Sequence, residues 1–466
     1  MTPSARLAAA AEVLDRIAGG RAPAEEALKA WGREHRFAGS KDRRAIADRV
    51  YRCLRGKARL GWAMGREDGR ALVIGSLALI DDLPLAEIEA LFSGEGYGPS
   101  PLKPNELKRL TAEPGEPPAW AKAGLPEFVT EDFKKTFGEA WAAEAEALMA
   151  PRAPIDLRVN TAKASVEAVE AELRAAGLEP ERTPWSAVGL RLKAEPPPNV
   201  QKLDAFRDGR IEIQDEGSQL VAFLAGARPG ETVVDYCAGG GGKTLVLAAA
   251  SLPLEGGGAG VGVSNRTPTP DDDGASQTPI PGPSPLRGKG VIACDVVQKR
   301  LDNIRPRLER AGLNAELRLI GPDGQGMDDL EGQGDLVLVD APCSGSGTWR
   351  RRPEDAWRLT EAEVERLHTL QVAILDRAAK LVTPGGRLAY VTCSMLSREN
   401  QASADAFETA HPDFRPIRIR DALYGAPLTP AALERLSALA DGHRLRLSPL
   451  TAGTDGFFIA LYERPA

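Results

Sequence analysis

Val337-Leu338-Val339-Asp340-Ala341-Pro342-Cys343-Ser344-Gly345 is an apolar run that stops on a carboxylate, a proline and a thiol. It reads as a parallel strand covered on both faces and running into a functional loop, because such strands lack the alternation of a half-exposed one and end at turn chemistry. Two further segments have the same form, Thr232-Val233-Val234-Asp235-Tyr236-Cys237 and Leu388-Ala389-Tyr390-Val391-Thr392-Cys393-Ser394. In an open parallel sheet, ligands bind at the carboxyl ends of the strands. The three endings are therefore expected to converge on one site.

Around these strands the chain alternates regularly from Glu231 onward, which predicts a doubly wound α/β domain with a mostly parallel sheet. Val291-Ile292-Ala293-Cys294-Asp295 is the second strand and Ala315 to Ile320 the third, with Asp323 in the loop that follows. Phe457-Phe458-Ile459-Ala460-Leu461-Tyr462 is expected to close the sheet as an antiparallel edge strand. Residues 254–290 interrupt the pattern with Gly, Pro, Ser, Thr and Asp and almost nothing that could join a core. Such a composition predicts a disordered surface insertion.

Upstream, residues 1–150 read as wholly helical, with Leu7, Val13, Leu14 and Ile17 at helical spacing and Ala71 to Ile80 as a buried helix too short to span a bilayer. Ala150-Pro151-Arg152-Ala153-Pro154 marks a boundary, followed by a small α+β unit over 151–208 and the α/β domain over 209–466. With 466 residues, 42% hydrophobic and 27% charged, the chain has the composition of a soluble multidomain protein. Charges inside the first 20 residues argue against a signal peptide, and a cytoplasmic protein that does not engage a membrane is expected. The net charge of −7 argues mildly against nucleic acid. Yet Lys41, Arg43, Arg44, Arg49, Arg52, Arg55, Lys57 and Arg59 crowd one stretch, which reads equally well as a solvated helix face or a nucleic-acid patch.

Asp235-Tyr236-Cys237-Ala238-Gly239-Gly240-Gly241-Gly242-Lys243-Thr244 joins the first strand to a helix. Glycines there let a ligand approach the backbone at a positive helix N-terminus. The loop fails as a phosphate-binding motif, because Cys237 stands at its first glycine position, and as a dinucleotide fingerprint, because Thr244 stands at the third. A nucleoside-type pocket remains, with Asp295 placed to bond ribose hydroxyls. Asp295 lies 56 residues after Gly239, and 19 once the 37 residues 254–290 are set aside, which matches the expected spacing of about 20.

The five cysteines, Cys53, Cys237, Cys294, Cys343 and Cys393, contain no CxxC pair, so neither a disulfide framework nor a zinc site is expected. His35, His368, His411 and His443 are scattered without ligand spacing, and no metal centre is expected. Cys343 and Cys393 end two strands of one crevice, and Arg350-Arg351-Arg352 close by would favour a thiolate. A thiolate beside a nucleoside-cofactor pocket suits methylation at carbon 5 of cytosine: addition at carbon 6 activates carbon 5, a carboxylate at ring nitrogen 3 stabilises the adduct, and a base removes the carbon 5 proton. Residue chemistry does not order the two thiols. A nucleotide hydrolase and a non-catalytic RNA-binding factor remain as alternatives.

The loop at Asp235–Thr244, Ala293-Cys294-Asp295 with Arg300, Asp340-Ala341-Pro342-Cys343-Ser344-Gly345, and Thr392-Cys393-Ser394 followed by Glu399-Asn400 together resemble the Nop/Sun RNA (cytosine-5) methyltransferase family, RsmB type. The resemblance runs from about Ile155 to the C-terminus. It implies a Rossmann-like class I methyltransferase domain over 209–466, preceded by an α+β RNA-recognition unit and an all-helical NusB-like RNA-binding domain. It also implies S-adenosylmethionine held by Cys237, Ala238, Gly239, Gly240, Gly241, Gly242, Lys243, Asp295, Arg300, Asp323 and Asp340. Cys393 is then the nucleophile, Cys343 assists release of the adduct, and Asp340 is the third catalytic group. The implied partner is ribosomal RNA of the small subunit, with transfer RNA as the alternative, and the implied state is a monomer. The sequence departs from the family pattern at Gly239-Gly240, where Ala-Pro is usual, and in the 254–290 insertion.

Overall fold

A computed structural model describes residues 1–20, 22–113, 115–149, 152–193, 197–252 and 290–466. Apart from Gly290, the expected insertion lies outside the described residues.

The described residues form two sheets. A four-stranded antiparallel sheet in the order β2-β3-β1-β4 combines β1 (Ile155–Val159), β2 (Glu181–Arg182), β3 (Gly189–Leu192) and β4 (Ile211–Ile213). The α+β unit thus extends past 208, because Ile211–Ile213 pairs with β1 before the chain enters the helix Glu216–Ala225. Buried Asp156 joins this sheet to that helix by accepting from Arg191 and from the backbone N–H of Glu216.

The second sheet holds β5 (Thr232–Asp235), β6 (Gly290–Asp295), β7 (Glu316–Leu319), β8 (Gly334–Asp340), β9 (Val382–Thr392), β10 (Arg415–Pro416), β11 (Ala440–Asp441), β12 (Arg444–Leu447) and β13 (Phe457–Glu463). Its order is β11-β12-β13-β9-β8-β5-β6-β7, with β10 pairing the end of β13. The five strands from β9 to β7 run parallel. Period-two alternation assigns their two faces. Val233, Leu336, Leu338, Ala389 and Val391 enter one core with the helices Glu216–Ala225, Gly242–Ala250 and Gln298–Ala311. Val234, Val337, Val339, Leu388 and Tyr390 enter the other, beneath the helix Glu361–Leu381. At about 1.5–3 kcal/mol per fully buried large apolar side chain, these two layers dominate the stability of the sheet. The strand order reverses at β5, which places the ligand crevice over the carboxyl ends of β5, β6 and β8.

The expected edge strand proves to be interior. β13 is antiparallel as expected, but it lies between β9 and β12, and the short β11–β12 hairpin forms the edge. The segment Arg444-Leu445-Arg446-Leu447 is too short and too charged to declare itself by pattern.

Helices from Pro3 to Thr111 share a core of residues such as Val13, Trp31, Ile46, Val50, Leu72 and Ile74. None of the described helices is long and apolar enough to cross a membrane. The helices from Ala119 to Met149 pack instead on Trp349, Ala356, Val364, Met395 and Leu396 of the α/β domain, and Asp132 accepts from the backbone N–H of Ser397. The basic run is also partly consumed by contacts. Arg49 and Arg52 share Asp81, Lys57 pairs with Glu67, and Arg55 donates to the carbonyl of Arg350. Lys41, Arg44 and Arg59 remain exposed.

A buried ion-pair network locks the α/β domain to the α+β unit. Arg350 and Arg351 each bond Asp455, both at 2.5 Å, and Asp215 at 3.3 and 2.9 Å, while Arg351 also donates to the carbonyl of Pro154. Asp455→Ala leaves two guanidinium groups under-compensated, and the expected cost is about 3–5 kcal/mol, read as a lower urea midpoint.

Candidate active site

The site is assembled by register. β8 and β9 are parallel neighbours with Asp340 opposite Val391, and the N–H of Ala341 extends the ladder to the carbonyl of Val391. Cys343 and Cys393 lie three and two residues beyond that rung, and their sulfurs approach to 3.4 Å. The loop between Pro342 and Ser346 turns sharply through Gly345 at φ +66°, a conformation that favours glycine.

Beneath the two thiols lies a hydrogen-bonded floor. Glu399 is fully buried. One carboxylate oxygen accepts from the Ser344 N–H at 2.7 Å and the Gln371 amide at 3.1 Å, and the other from the Ser344 and Ser394 hydroxyls. The Ser346 hydroxyl accepts from the Met395 N–H, and the Gln371 amide also donates to the carbonyl of Pro342.

Three strand ends contribute carboxylates. Asp340, ending β8, pairs with Lys243 at 2.7 Å. Burial opposes the charge of Lys243, but Asp340 and the neighbouring Cys393 outweigh it and raise the lysine pKa. Asp295, ending β6, accepts from the N–H groups of Gly239 and Val297 at 3.0 and 2.8 Å and meets Arg300 at 3.7 Å. Asp235, ending β5, is wholly buried, takes the Thr244 hydroxyl at 2.6 Å on one oxygen and has no hydrogen-bond partner on the other. Burial, with the nearby charges of Asp340 and Asp295, pushes its pKa up to about 7.

The glycine loop suits a ligand on one side and packing on the other. A Cβ on Gly239, at φ +56°, would meet nothing nearer than 3.8 Å, so that face is open. One on Gly241, at φ +80°, would strike Ile304 at 2.8 Å. Val296, just beyond β6, and Leu319, the last residue of β7, expose their apolar side chains. An open glycine face, a carboxylate with acceptor capacity left at Asp295, and exposed apolar residues beside it match the needs of a nucleoside: hydroxyls on a carboxylate and a flat ring on an apolar surface.

Most of the expected residues come together here: Cys343, Cys393, Asp340, Cys237 to Lys243, Asp295 and Arg300. Asp323 is exposed, its side chain 84% accessible and 4.0 Å from Arg377. The expectation that Arg350, Arg351 and Arg352 favour a thiolate is not met. Arg350 and Arg351 are neutralised by Asp215 and Asp455, and Arg352 by Asp355; Lys243 is the cation beside Cys393. The pairing of Lys243 with Asp340 also commits the side chain that a phosphate loop would turn to its ligand. The sequence pattern contains Asp235 and Glu399 but assigns no site role to either, although Asp235 ends β5 as Asp295 and Asp340 end their strands; the partners of the buried anchor Glu399 include Ser344 and Gln371, distant in the chain. Among the described residues no cluster with metal-ligand character is present.

The parallel sheet, its reversal point and the glycine loop define a Rossmann-like methyltransferase domain, joined to a small α+β domain and a helical region. A family model of the 16S rRNA methyltransferases RsmB/F matches residues 286–463, and one of the RsmF/B-like ferredoxin-like domain matches residues 125–199. The ferredoxin-like match crosses the boundary at 150. Ribosomal RNA small subunit methyltransferase B of Pseudomonas syringae is 32% identical over 335 residues, covering 70% of this chain and 64% of that protein. Its probable counterpart in Bacillus subtilis is 30% identical over 307 residues, covering 65% and 58%. The chain thus spans about three-fifths of the length of these curated relatives. The solved structure of PH0851 is 25% identical with a TM-score of 0.71 over 99% of both chains, and a methyltransferase homolog protein from Pyrococcus horikoshii is 27% identical with a TM-score of 0.54 over 74% of this chain and 97% of that one. Over residues 125–199 and 286–463 the chain is thus similar to the RsmB/F group of ribosomal RNA methyltransferases.

Two outcomes follow for the native protein. Burial pushes the thiols of Cys53 and Cys294 up to about 11 and about 12, so iodoacetamide at pH 7.5 is expected to label Cys393 and to reach Cys53 and Cys294 only after unfolding, as read by peptide mass mapping. Because Asp235 is raised from 3.8 to about 7, its contribution to stability is full below pH 3.8 and is lost as pH rises through about 7. Asp235→Asn is expected to remove that loss and flatten the urea midpoint between pH 4 and 8.

Proposed function

We propose that this protein is an S-adenosylmethionine-dependent RNA methyltransferase that forms 5-methylcytosine in small-subunit ribosomal RNA, acting in the cytoplasm as a monomer. The observation that carries the reading is the 3.4 Å approach of the Cys343 and Cys393 sulfurs beside the Lys243–Asp340 pair, at the mouth of the glycine loop. The names of the relatives from Pseudomonas syringae and Bacillus subtilis support ribosomal RNA as substrate.

S-adenosylmethionine, when bound, supplies an electrophilic methyl group on a sulfonium. The residues suited to hold it are the backbone from Cys237 to Lys243, Asp295 with Arg300, Asp340 and, from the rim, Asp323. Carbon 5 of cytosine is a weak nucleophile, and Cys393 raises its electron density by adding its sulfur to carbon 6. Lys243 stabilises the attacking thiolate and holds Asp340, the carboxylate suited to ring nitrogen 3 of the adduct. After carbon 5 is methylated, a solvent water takes its proton, the electron pair of that C–H bond re-forms the carbon 5–carbon 6 double bond, and the carbon 6–sulfur bond breaks to expel Cys393 as a thiolate. Cys343, 3.4 Å away, donates its S–H to that departing sulfur. The helical region supplies an RNA-facing surface at Lys41, Arg44 and Arg59.

Incubation with methyl-labelled S-adenosylmethionine and small-subunit ribosomal RNA is expected to place label in 5-methylcytosine after nucleoside digestion; label in another nucleoside, or none, overturns the proposal. Cys343→Ala is expected to accumulate a covalent protein–RNA species on denaturing gels, and Cys393→Ala to form none. The reverse pattern exchanges the two roles.

A further inference from the structure

Two thiols in van der Waals contact pose a problem that the reaction has to resolve, because both sulfurs cannot ionise together at that separation. We propose that Glu399 is a positioning residue that tells them apart: its buried carboxylate binds the loop behind Cys343 and disfavours negative charge on that sulfur, so that Cys343 remains a thiol and donates to Cys393. The inference rests on the reading of Cys393 as nucleophile and names what enforces it.

The geometry is asymmetric. Glu399 accepts four hydrogen bonds: two from Ser344, the residue after Cys343, one from Gln371, whose amide also holds the carbonyl of Pro342 just before Cys343, and a single one from Ser394, the residue after Cys393. The opposite charge lies on the other side, where Lys243 bonds Asp340 and feels Cys393. The remaining ionisable groups do not cancel this difference. Tyr390, from β9, donates its hydroxyl to the Glu399 carbonyl and is neutral, its pKa raised far above the ordinary by burial. From the helix Glu361–Leu381, His368 reaches the floor through Ser403, which donates to Gln371. Arg398 turns outward to Glu365. In agreement, the bond with Cys393, burial and the charge of Glu399 all raise the Cys343 pKa well above the ordinary thiol value.

The sequence offered part of this signal. Glu399 follows Thr392-Cys393-Ser394 by a few residues, but an acidic residue at a helix entrance is ordinarily a solvated cap. Full burial against two serines and a glutamine changes its meaning, since a polar group away from water is tolerated only when its hydrogen bonds are made.

The test measures the Cys343 thiol directly and requires neither RNA nor cofactor. In a Cys393→Ala background, iodoacetamide labelling of the Cys343 peptide is followed by mass spectrometry from pH 7 to 11. Glu399→Gln keeps the shape and removes the charge, and the labelling midpoint is expected to fall by about one pH unit or more. Glu399→Asp keeps the charge, and the midpoint is expected to stay within about 0.3 units of the background even if labelling becomes faster at every pH. An unmoved midpoint in the Gln variant overturns the inference. So does a fall in the Asp variant, which carries the test alone should the Gln variant not fold. A purely structural anchor predicts faster labelling and a lower melting temperature in both variants with no change of midpoint. A reversed adduct pattern in Cys343→Ala and Cys393→Ala would overturn the reading of the reaction and leave this thiol measurement standing.

Discussion

The in-register parallel pairing of β8 with β9 is the constraint on which the site depends. With Asp340 opposite Val391, the chain leaves both strands at the same height, and two short loops bring the sulfurs within contact. A one-residue slip would exchange the faces of a strand. It would send Val337 and Val339 into the layer occupied by Leu336 and Leu338, so the two hydrophobic layers that stabilise the sheet also hold the thiols in place. Packing and chemistry are specified by the same rungs.

Charge is the second organising feature. β5, β6 and β8 each end in an aspartate, and three carboxylates crowding one crevice repel one another unless they are compensated. Asp340 is compensated by Lys243, and Asp295 by two backbone N–H groups with Arg300 beyond. Asp235 has a single hydroxyl and retains affinity for a proton instead. The larger buried pairings, of Arg350 and Arg351 with Asp215 and Asp455, lie outside the thiol pocket and join the α+β unit to the loop that follows Cys343.

Much of this was legible in the sequence because it is local. Apolar runs ending at Asp235, Asp295 and Asp340 revealed the parallel strands, and glycines before Lys243 revealed the loop. Spacing to Asp295 became interpretable once 254–290 was set aside. What escaped depends on partners distant in the chain. β13 reads as an edge until the β11–β12 hairpin covers it. Arg350, Arg351 and Arg352 read as cations near the thiols until Asp215, Asp455 and Asp355 claim them. Ile211–Ile213, assigned by its position to the α/β domain that begins at 209, pairs instead with β1. Residue chemistry could not order Cys343 and Cys393; the placement of Lys243 and Glu399 supplies an asymmetry that no local pattern carries.

The most direct measurement of the central claim is capture of the reaction on RNA containing 5-fluorocytosine. Fluorine at carbon 5 cannot leave as a proton would, so the covalent protein–RNA species formed after methylation persists. Digestion and mass mapping of that species are predicted to find the modified nucleotide on the peptide carrying Cys393. A nucleotide on Cys343, or methyl transfer with no covalent species, would contradict the account.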